Sequence, residues 1–576
     1  MGYCGRYLLV LTVLWTLAIS GQQDLTLASL PPGLRLCKNP HLSLRADPRT
    51  GGGSVAISSF LEKKEIASVV AWRSKRHYSL ATTVLIQSRS CGRSVGKTDV
   101  DYETASIKAG RLINLSDIRS ALIYLASDSL QGRETTEPGQ KKAAEFIVEK
   151  FKSFGLKPLG DNGTYLQHFP VDVHYISDSS FVAIDGKYFW NEKDIFVSPF
   201  GAADTELTAP VVFAGYGFQN DSYSDYKAID VKNKIVMLLD SNPPFADTTD
   251  PLIRTGLYKR TNAARHGAAA VLLIVRGGEK GFSKLKQKSG SLLGQKTMTL
   301  ISDSKEQTRI ALMQMLSVSE KMANEVLKKR HTTVEQLAEK IDSSKIPASM
   351  EINKATVDVK INSEKRMTEN VVGMLEGTDP ILKKEFVVYS AHYDHLGETP
   401  DGVIYHGADD NASGTSTVLG IAEAYAKSEI KPRRSIIFLT VTGEEKGLLG
   451  SSYFSLHPVV PLGNIVADLN TDMDGRIDTT HAKSDSNYVY VIGSKRLSVE
   501  LDSLLVAADS QSVRMNLDYS YDTDNDPNRF YYRSDHYNFA KKNIPIIFFF
   551  NGTHADYHKP TDTSDKIDFP ILERRA

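Results

Sequence analysis

From residue 370 to residue 550 the chain keeps one rhythm: an apolar run, a polar loop, a helical stretch, another apolar run. The runs cover residues 370–375, 385–390, 435–441, 464–469 and 544–550, and a helix is expected over 412–426. A strand with one face in water alternates apolar and polar residues, whereas a strand covered on both faces does not have to. Ile546-Ile547-Phe548-Phe549-Phe550 has no such alternation. The pattern predicts an α/β fold with a mixed, mostly parallel central sheet and helices on both faces.

Sheets of this kind bind ligands in the crevice at the carboxyl ends of their strands. Here those ends are acidic or carry histidine. Ala391-His392-Tyr393-Asp394-His395 follows one run, Gly407-Ala408-Asp409-Asp410-Asn411 precedes the helix, Thr442-Gly443-Glu444-Glu445 follows the next run, and Asn470-Thr471-Asp472-Met473-Asp474 the one after. A fifth loop holds His554 and Tyr557-His558-Lys559-Pro560-Thr561-Asp562. Taken singly each has an ordinary explanation: a surface histidine, an N-cap cluster at 409–411, a solvated glutamate pair. Taken together, several carboxylates meeting unpaired in one crevice cost more than a fold can offset, and bound cations make the cluster tolerable.

Composition decides which cation. All three cysteines, Cys4, Cys37 and Cys91, lie in the first ninety-one positions, so a metal farther along has to be held by His, Asp and Glu. Histidine with carboxylates and no sulfur suits zinc or a similar borderline ion, here as a pair of ions in one site. The 69 basic and 69 acidic residues balance, so no overall field draws in a polyanion, and nucleic acid is excluded as a partner.

The succession H-x-D, G-A-D-D-N-A-S-G, G-E-E, N-x-D-M-x-G-R and Y-H-x-P-x-D spans roughly 170 residues, His392 to Asp562. It resembles the co-catalytic zinc aminopeptidase family, of the aminopeptidase Y and glutamate carboxypeptidase-like clan. That family also holds the catalytically dead transferrin receptor and single-zinc glutaminyl cyclases. The resemblance implies a zinc exopeptidase fold with two zinc ions per chain. By it, His392 and Asp472 bind one ion, Glu445 and His558 the other, and Asp410 bridges them, leaving Asp409 to cap the helix. Glu444 is then the general base toward the water held between the metals, Asp394 orients the His392 imidazole, and Tyr557 is a candidate donor to the tetrahedral oxyanion or a packed rim residue. Adjacent residues at a strand end point in different directions, which lets Glu445 ligate while Glu444 faces the water. Ser534-Asp535-His536 is a patterned loop, a candidate for substrate contact or for support of the ligands.

The activity so implied is hydrolysis of the N-terminal peptide bond of peptides. A carboxypeptidase or dipeptidase of the same family is the competing reading, for which Arg433, Arg434, Arg529 and Arg533 are the available carboxylate grips. A non-catalytic receptor-like module needs lost ligands, and none is lost.

At 576 residues the chain exceeds one core. Residues 1–21 are expected to be a signal peptide, because the fourteen apolar residues 7–20 behind Arg6 are short for a bilayer span of about 20. A buried N-terminal helix and a misplaced start are the alternatives. With a genuine signal the protein is secreted or periplasmic and not stably inserted in a membrane. Residues 22–110 show no helical or strand period and are expected to have little order, or to be a gene-start artefact. Residues 111–205 open the catalytic domain with two helices, 206–345 form a β-rich insert and helical connection, and 346–576 complete the catalytic domain. The run Phe213-Ala214-Gly215-Tyr216-Gly217 makes the insert similar to a protease-associated domain.

Overall fold

The computed structural model describes residues 45–46, 55–56, 107–198, 202–292, 296–301 and 313–576. Residues 1–21, and nearly all of 22–110, for which a signal peptide and low order are expected, lie outside the described residues. The chain divides into two units, Met1–Asp99 and Val100–Ala576. In the first, the described residues are an antiparallel pair, Arg45–Ala46 with Val55–Ala56.

The second unit is built on a large mixed sheet. Four strands at its centre run parallel in the order Ser435–Val441, Phe386–His392, Ile465–Thr471, Ile546–Phe550. All seven residues of Ser435–Val441 are buried, as a strand covered on both faces requires. Successive side chains point to opposite faces, and the core follows that period of two. Val371, Ile436 and Phe438 pack with Ile118, Leu122, Ile147, Phe151 and Val418. These come from the helices Leu115–Leu125, Pro138–Ser153 and Gly414–Lys427. Val372, Ile437, Leu439 and Val441 point the other way, onto Phe454 and Phe539 of the helices Leu449–Leu456 and His536–Ala540. Each fully buried side chain of this size contributes about 1.5–3 kcal/mol.

The sheet is less parallel than expected. Ile361–Leu375 runs antiparallel to Ser435–Val441 and to Leu166–Ile176, and Tyr488–Ile492 runs antiparallel to Ile546–Phe550. The reason lies in the chain path. Ile176 is paired with Ile361, so the chain leaves the sheet and comes back beside its own exit, which forces the antiparallel direction.

Between those two points lies a second sheet of eight strands with a core of its own. The apolar runs Ile235–Leu239 and Ala270–Val275 lie parallel at its centre. Phe181–Ile184 and Met350–Val359, outside the stretch 206–345, belong to the same sheet. The charged text after residue 319 makes two helices, Glu320–Leu327 and Val334–Ser344, the second opened by a capping box of Thr333 and Gln336.

Candidate metal centre

Every loop singled out above sits at the carboxyl end of the parallel strands or against it. His392 is the last residue of its strand, and its Nδ1 lies 3.2 Å from the carbonyl oxygen of Asp394 and 3.7 Å from that residue's carboxylate. The carbonyl is the nearer acceptor. The Asp394 carboxylate instead accepts from Thr135 Oγ1 at 2.8 Å and from the backbone N–H of Glu444 at 3.3 Å, joining three loops.

Asp410 is placed by its backbone. One oxygen of Asp562 accepts the N–H groups of both Asp409 and Asp410, at 3.0 and 3.2 Å. Asp409 does not cap the following helix. Its carboxylate accepts from Gly475 N, Asn551 Nδ2 and His554 Nε2, and the side chain of Asn411 takes the Gly414 N–H at 2.9 Å. Asp409 is already spent on holding two other loops.

The ligating atoms converge in two groups that share Asp410. His392 Nε2 is 3.4 Å from Asp410 Oδ1 and 3.3 Å from Asp472 Oδ1. His558 Nε2 is 3.0 Å from Asp410 Oδ2 and 3.3 Å from Glu445 Oε2. The five side chains expected to hold metal are therefore brought together. A sixth, His395, joins them with Nδ1 2.8 Å from Glu445 Oε1. Among the described residues, His392, Asp410 and Asp472 form one set with metal-binding spacing, and His395, Asp410 and Glu445 another. His392 Nε2, both ring nitrogens of His395 and Glu445 Oε1 are buried without a hydrogen-bond partner. Unpaired buried nitrogen and carboxylate donors aimed at one another fit two zinc-type cations.

The electrostatics agree. Burial opposes charge on His392, but Asp472, Glu444, Asp394 and Asp410 hold it well above the usual histidine range. Burial of His558 is likewise outweighed, by Glu445 and Asp410, and it is pushed up to about 11. Glu445 comes down to about 2 against burial and the Asp410 charge, because His558 and His395 face it. The His392 and His558 imidazoles and the carboxylates facing them thus favour one another's charged forms, and metal binding at such ligands is coupled to proton release. Glu444 differs: burial, with Glu445 and Asp472 beside it, pushes its carboxyl well above the ordinary range against the pull of His392. Its Oε2 stands 3.9 Å from His392 Nε2, beside the cluster.

The loop Ser534-Asp535-His536 divides its work. Ser534 Oγ donates to Asp472 Oδ2 at 2.7 Å and so orients that carboxylate. Asp535 is fully buried, neither of its carboxylate oxygens is hydrogen-bonded, and burial pushes it up to about 7. His536 turns away, donating from Nε2 to the carbonyl of Tyr531. Tyr557 stacks on His558 at 3.9 Å between ring centroids, and its hydroxyl accepts from Arg533 at 3.0 Å. A pocket opens over the cluster, lined by Glu444 and Asp472 together with Met473, Phe530, Phe548 and Phe550.

Sequence reasoning passed over two residues. His395 stood in a recognised run, but a single histidine after a strand carries no local sign of its partner. Arg133 looked like part of a polar loop. It is 1 % exposed and donates to the carbonyls of Tyr393 at 2.9 Å, His406 at 2.8 Å, Gly407 at 3.0 Å and Leu125, clamping the loops that carry His392 and Asp410. The one available signal was an arginine flanked by Gly132, whose φ of +67° brings the backbone against Gly397 and Tyr405.

Residues 370–576 match the model of peptidase family M28. The chain is 31 % identical over 216 residues to the probable leucine aminopeptidase 2 of Aspergillus oryzae, covering 37 % of this chain and 39 % of that one. It is 25 % identical over 312 residues to aminopeptidase YwaD of Bacillus subtilis, covering 52 % and 53 %. The chain thus spans between two fifths and about half of the length of these relatives. Among solved structures, an aminopeptidase from Aneurinibacillus sp. strain AM-1 is similar with a TM-score of 0.49 and 19 % identity, over 81 % of this chain and 92 % of that one. BSAP, a zinc aminopeptidase from Bacillus subtilis, gives 0.47 and 20 %, over 80 % and 92 %. Among the described residues no helix is long and apolar enough to cross a membrane.

Proposed function

We propose that this chain, whose residues 370–576 form a peptidase family M28 domain, is a di-zinc exopeptidase that removes the N-terminal residue of peptides. The observation that carries the reading is Asp410 shared between two groups of ligating atoms, with Glu444 beside them on the wall of the pocket. His392, Asp410 and Asp472 would hold one ion, and Asp410, Glu445 and His558 the other. Zinc ions held there would supply an activated water and a Lewis acid for the scissile carbonyl. Glu444 would take the water's proton and return it to the leaving amine, a task suited to a buried carboxyl that burial and its acidic neighbours push above the ordinary range. Tyr557 accepts from Arg533, so its own proton is free to point at the carbonyl oxygen as the charge develops there. The acidic wall of Glu444 and Asp472 favours a substrate presenting an ammonium group, and the aromatic wall favours an apolar terminal side chain.

The carboxypeptidase reading is supported by one arginine at most. Arg433 and Arg434 are engaged with Asp379 and Glu385 just before the strand Ser435–Val441, at the end opposite the pocket. Arg529 lies over Tyr532, whereas Arg533 lines the pocket. The second sheet, read as a protease-associated unit, would screen the pocket from larger substrates, and the apolar run at 7–20 would send the protein out of the cytoplasm.

The test is Glu444→Gln assayed on peptides with free and with acetylated N-termini. Turnover of the free peptide is expected to fall about 10²–10⁴-fold with zinc content unchanged, and the acetylated peptide to resist the native protein. Cleavage of the acetylated peptide at a comparable rate would count against an aminopeptidase. Full activity in Glu444→Gln would remove the general base from the scheme.

A further inference from the structure

We propose that His395 is a ligand of the second metal, so that this ion is held by two imidazoles, from His395 and His558, and two carboxylates, Asp410 and Glu445. The inference rests on the two-metal reading and adds a ligand that the resemblance does not supply.

Three observations carry it. His395 is fully buried, and neither ring nitrogen has a hydrogen bond, which is rare for a buried polar side chain. Its Nδ1 nevertheless faces Glu445 Oε1 at 2.8 Å and Asp410 Oδ1 at 4.0 Å, and the three ligand atoms lie within 4.8 Å of one another. Donors about 2.1 Å from a zinc ion at tetrahedral angles stand about 3.4 Å apart, so this spacing suits a shared cation. The two histidines approach the same carboxylate pair by different oxygens. His558 Nε2 meets Asp410 Oδ2 and Glu445 Oε2, and His395 Nδ1 meets Oδ1 and Oε1. Their rings are 6.0 Å apart and inclined at 67°, so they do not stack on each other in place of binding an ion.

The backbone makes room for the ring. A Cβ on Gly407 would come within 2.4 Å of His395 Cγ, and Gly407 has a φ of +56°, so a glycine is required for the imidazole to occupy this place. The backbone N–H of His395 donates to the Arg133 carbonyl at 3.2 Å, fixing the main chain below the ring. Its Nε2 faces no partner, and its Nδ1 has none but the carboxylates that the ion would share.

The experiment is zinc-edge X-ray absorption on the native protein loaded with two zinc ions, followed by chelator competition on His395→Ala and His395→Gln. Three imidazoles shared between two ions are expected in the scattering, against two if His395 is a bystander. Removing a residue that merely supports a ligand costs about 10–100-fold in metal affinity, so the loss for one of the two ions in both variants is expected to exceed about 100-fold, the other ion staying bound. Two imidazoles in the native protein, or two ions held at native affinity by either variant, would overturn the assignment while leaving the two-metal reading standing. A native protein that holds fewer than two ions would instead defeat that reading, and this inference with it. The native scattering needs no variant, so a misfolded substitution does not protect the claim.

Discussion

Replacing Arg133 by methionine keeps an unbranched apolar stem and removes the guanidinium. The carbonyls of Leu125, Tyr393 and His406 lose the guanidinium as donor, and that of Gly407 keeps only the Ala412 N–H, in a largely buried place. Burial lowers the Arg133 pKa to about 10, with Asp394, Asp410, Asp562 and Glu445 opposing that fall, so the group is charged at neutral pH. Hydrogen bonds from a charged donor are worth about 1.5–3 kcal/mol each, but several kcal/mol come back because the cation no longer has to be desolvated. The balance is a loss of about 3–5 kcal/mol, the usual cost of breaking a buried charged cluster from one side. For a unit of this size, Val100–Ala576, that corresponds to a drop in Tm of roughly 3–5 °C, read by calorimetry or circular dichroism on the metal-free protein. Metal retention should fall as well, because the loops released are those that present His392 and Asp410. Arg133→Lys should recover only part of either loss, since one ammonium cannot span carbonyls gripped by a planar fork. A methionine variant that melts within about 1 °C of the native protein and holds zinc as tightly would refute the clamp.

Two further perturbations test the frame around the site. Burial lowers the fully buried His536 to about 3. Between about pH 6.5 and pH 3 the unfolded chain therefore binds a proton that the folded chain does not, and stability falls as pH falls. The loss from this group is about 2 kcal/mol by pH 5, so urea midpoints measured between pH 7 and pH 5 should decline less in His536→Phe than in the native protein; equal slopes would contradict the account. Gly414→Ala would drive a Cβ to 2.4 Å from both Asn411 Oδ1 and the Thr471 carbonyl. A destabilisation of about 1–3 kcal/mol is expected, together with weaker metal binding, because Asn411 would have to give up the Met473 N–H beside Asp472. An unchanged melting curve would show that the helix can shift freely.

Much of the frame could be read locally. Ser435–Val441 is apolar enough to require cover on both faces, and such a strand belongs inside a helix-covered sheet whatever lies elsewhere in the chain. The five expected metal-binding side chains were legible because each sits in a short polar run: His392, Glu445 and Asp472 at or just past strand ends, Asp410 before a helix, and His558 in the loop after the last central strand. Strand direction at the flanks was not legible. Nothing in residues 361–375 states that their partner is Leu166–Ile176, because direction comes from the path the chain takes through the second sheet. His395 and Arg133 escaped for the same reason. A lone histidine and a lone arginine acquire their roles from Glu445 and from four distant carbonyls, and those neighbours exist only once the loops have met. Sequence by itself determined which residue types reach the ends of the strands, since period and polarity act within a few residues. The tertiary structure alone decided which buried polar groups are left unpaired and which charges hold them in place, since both depend on contacts between segments remote along the chain.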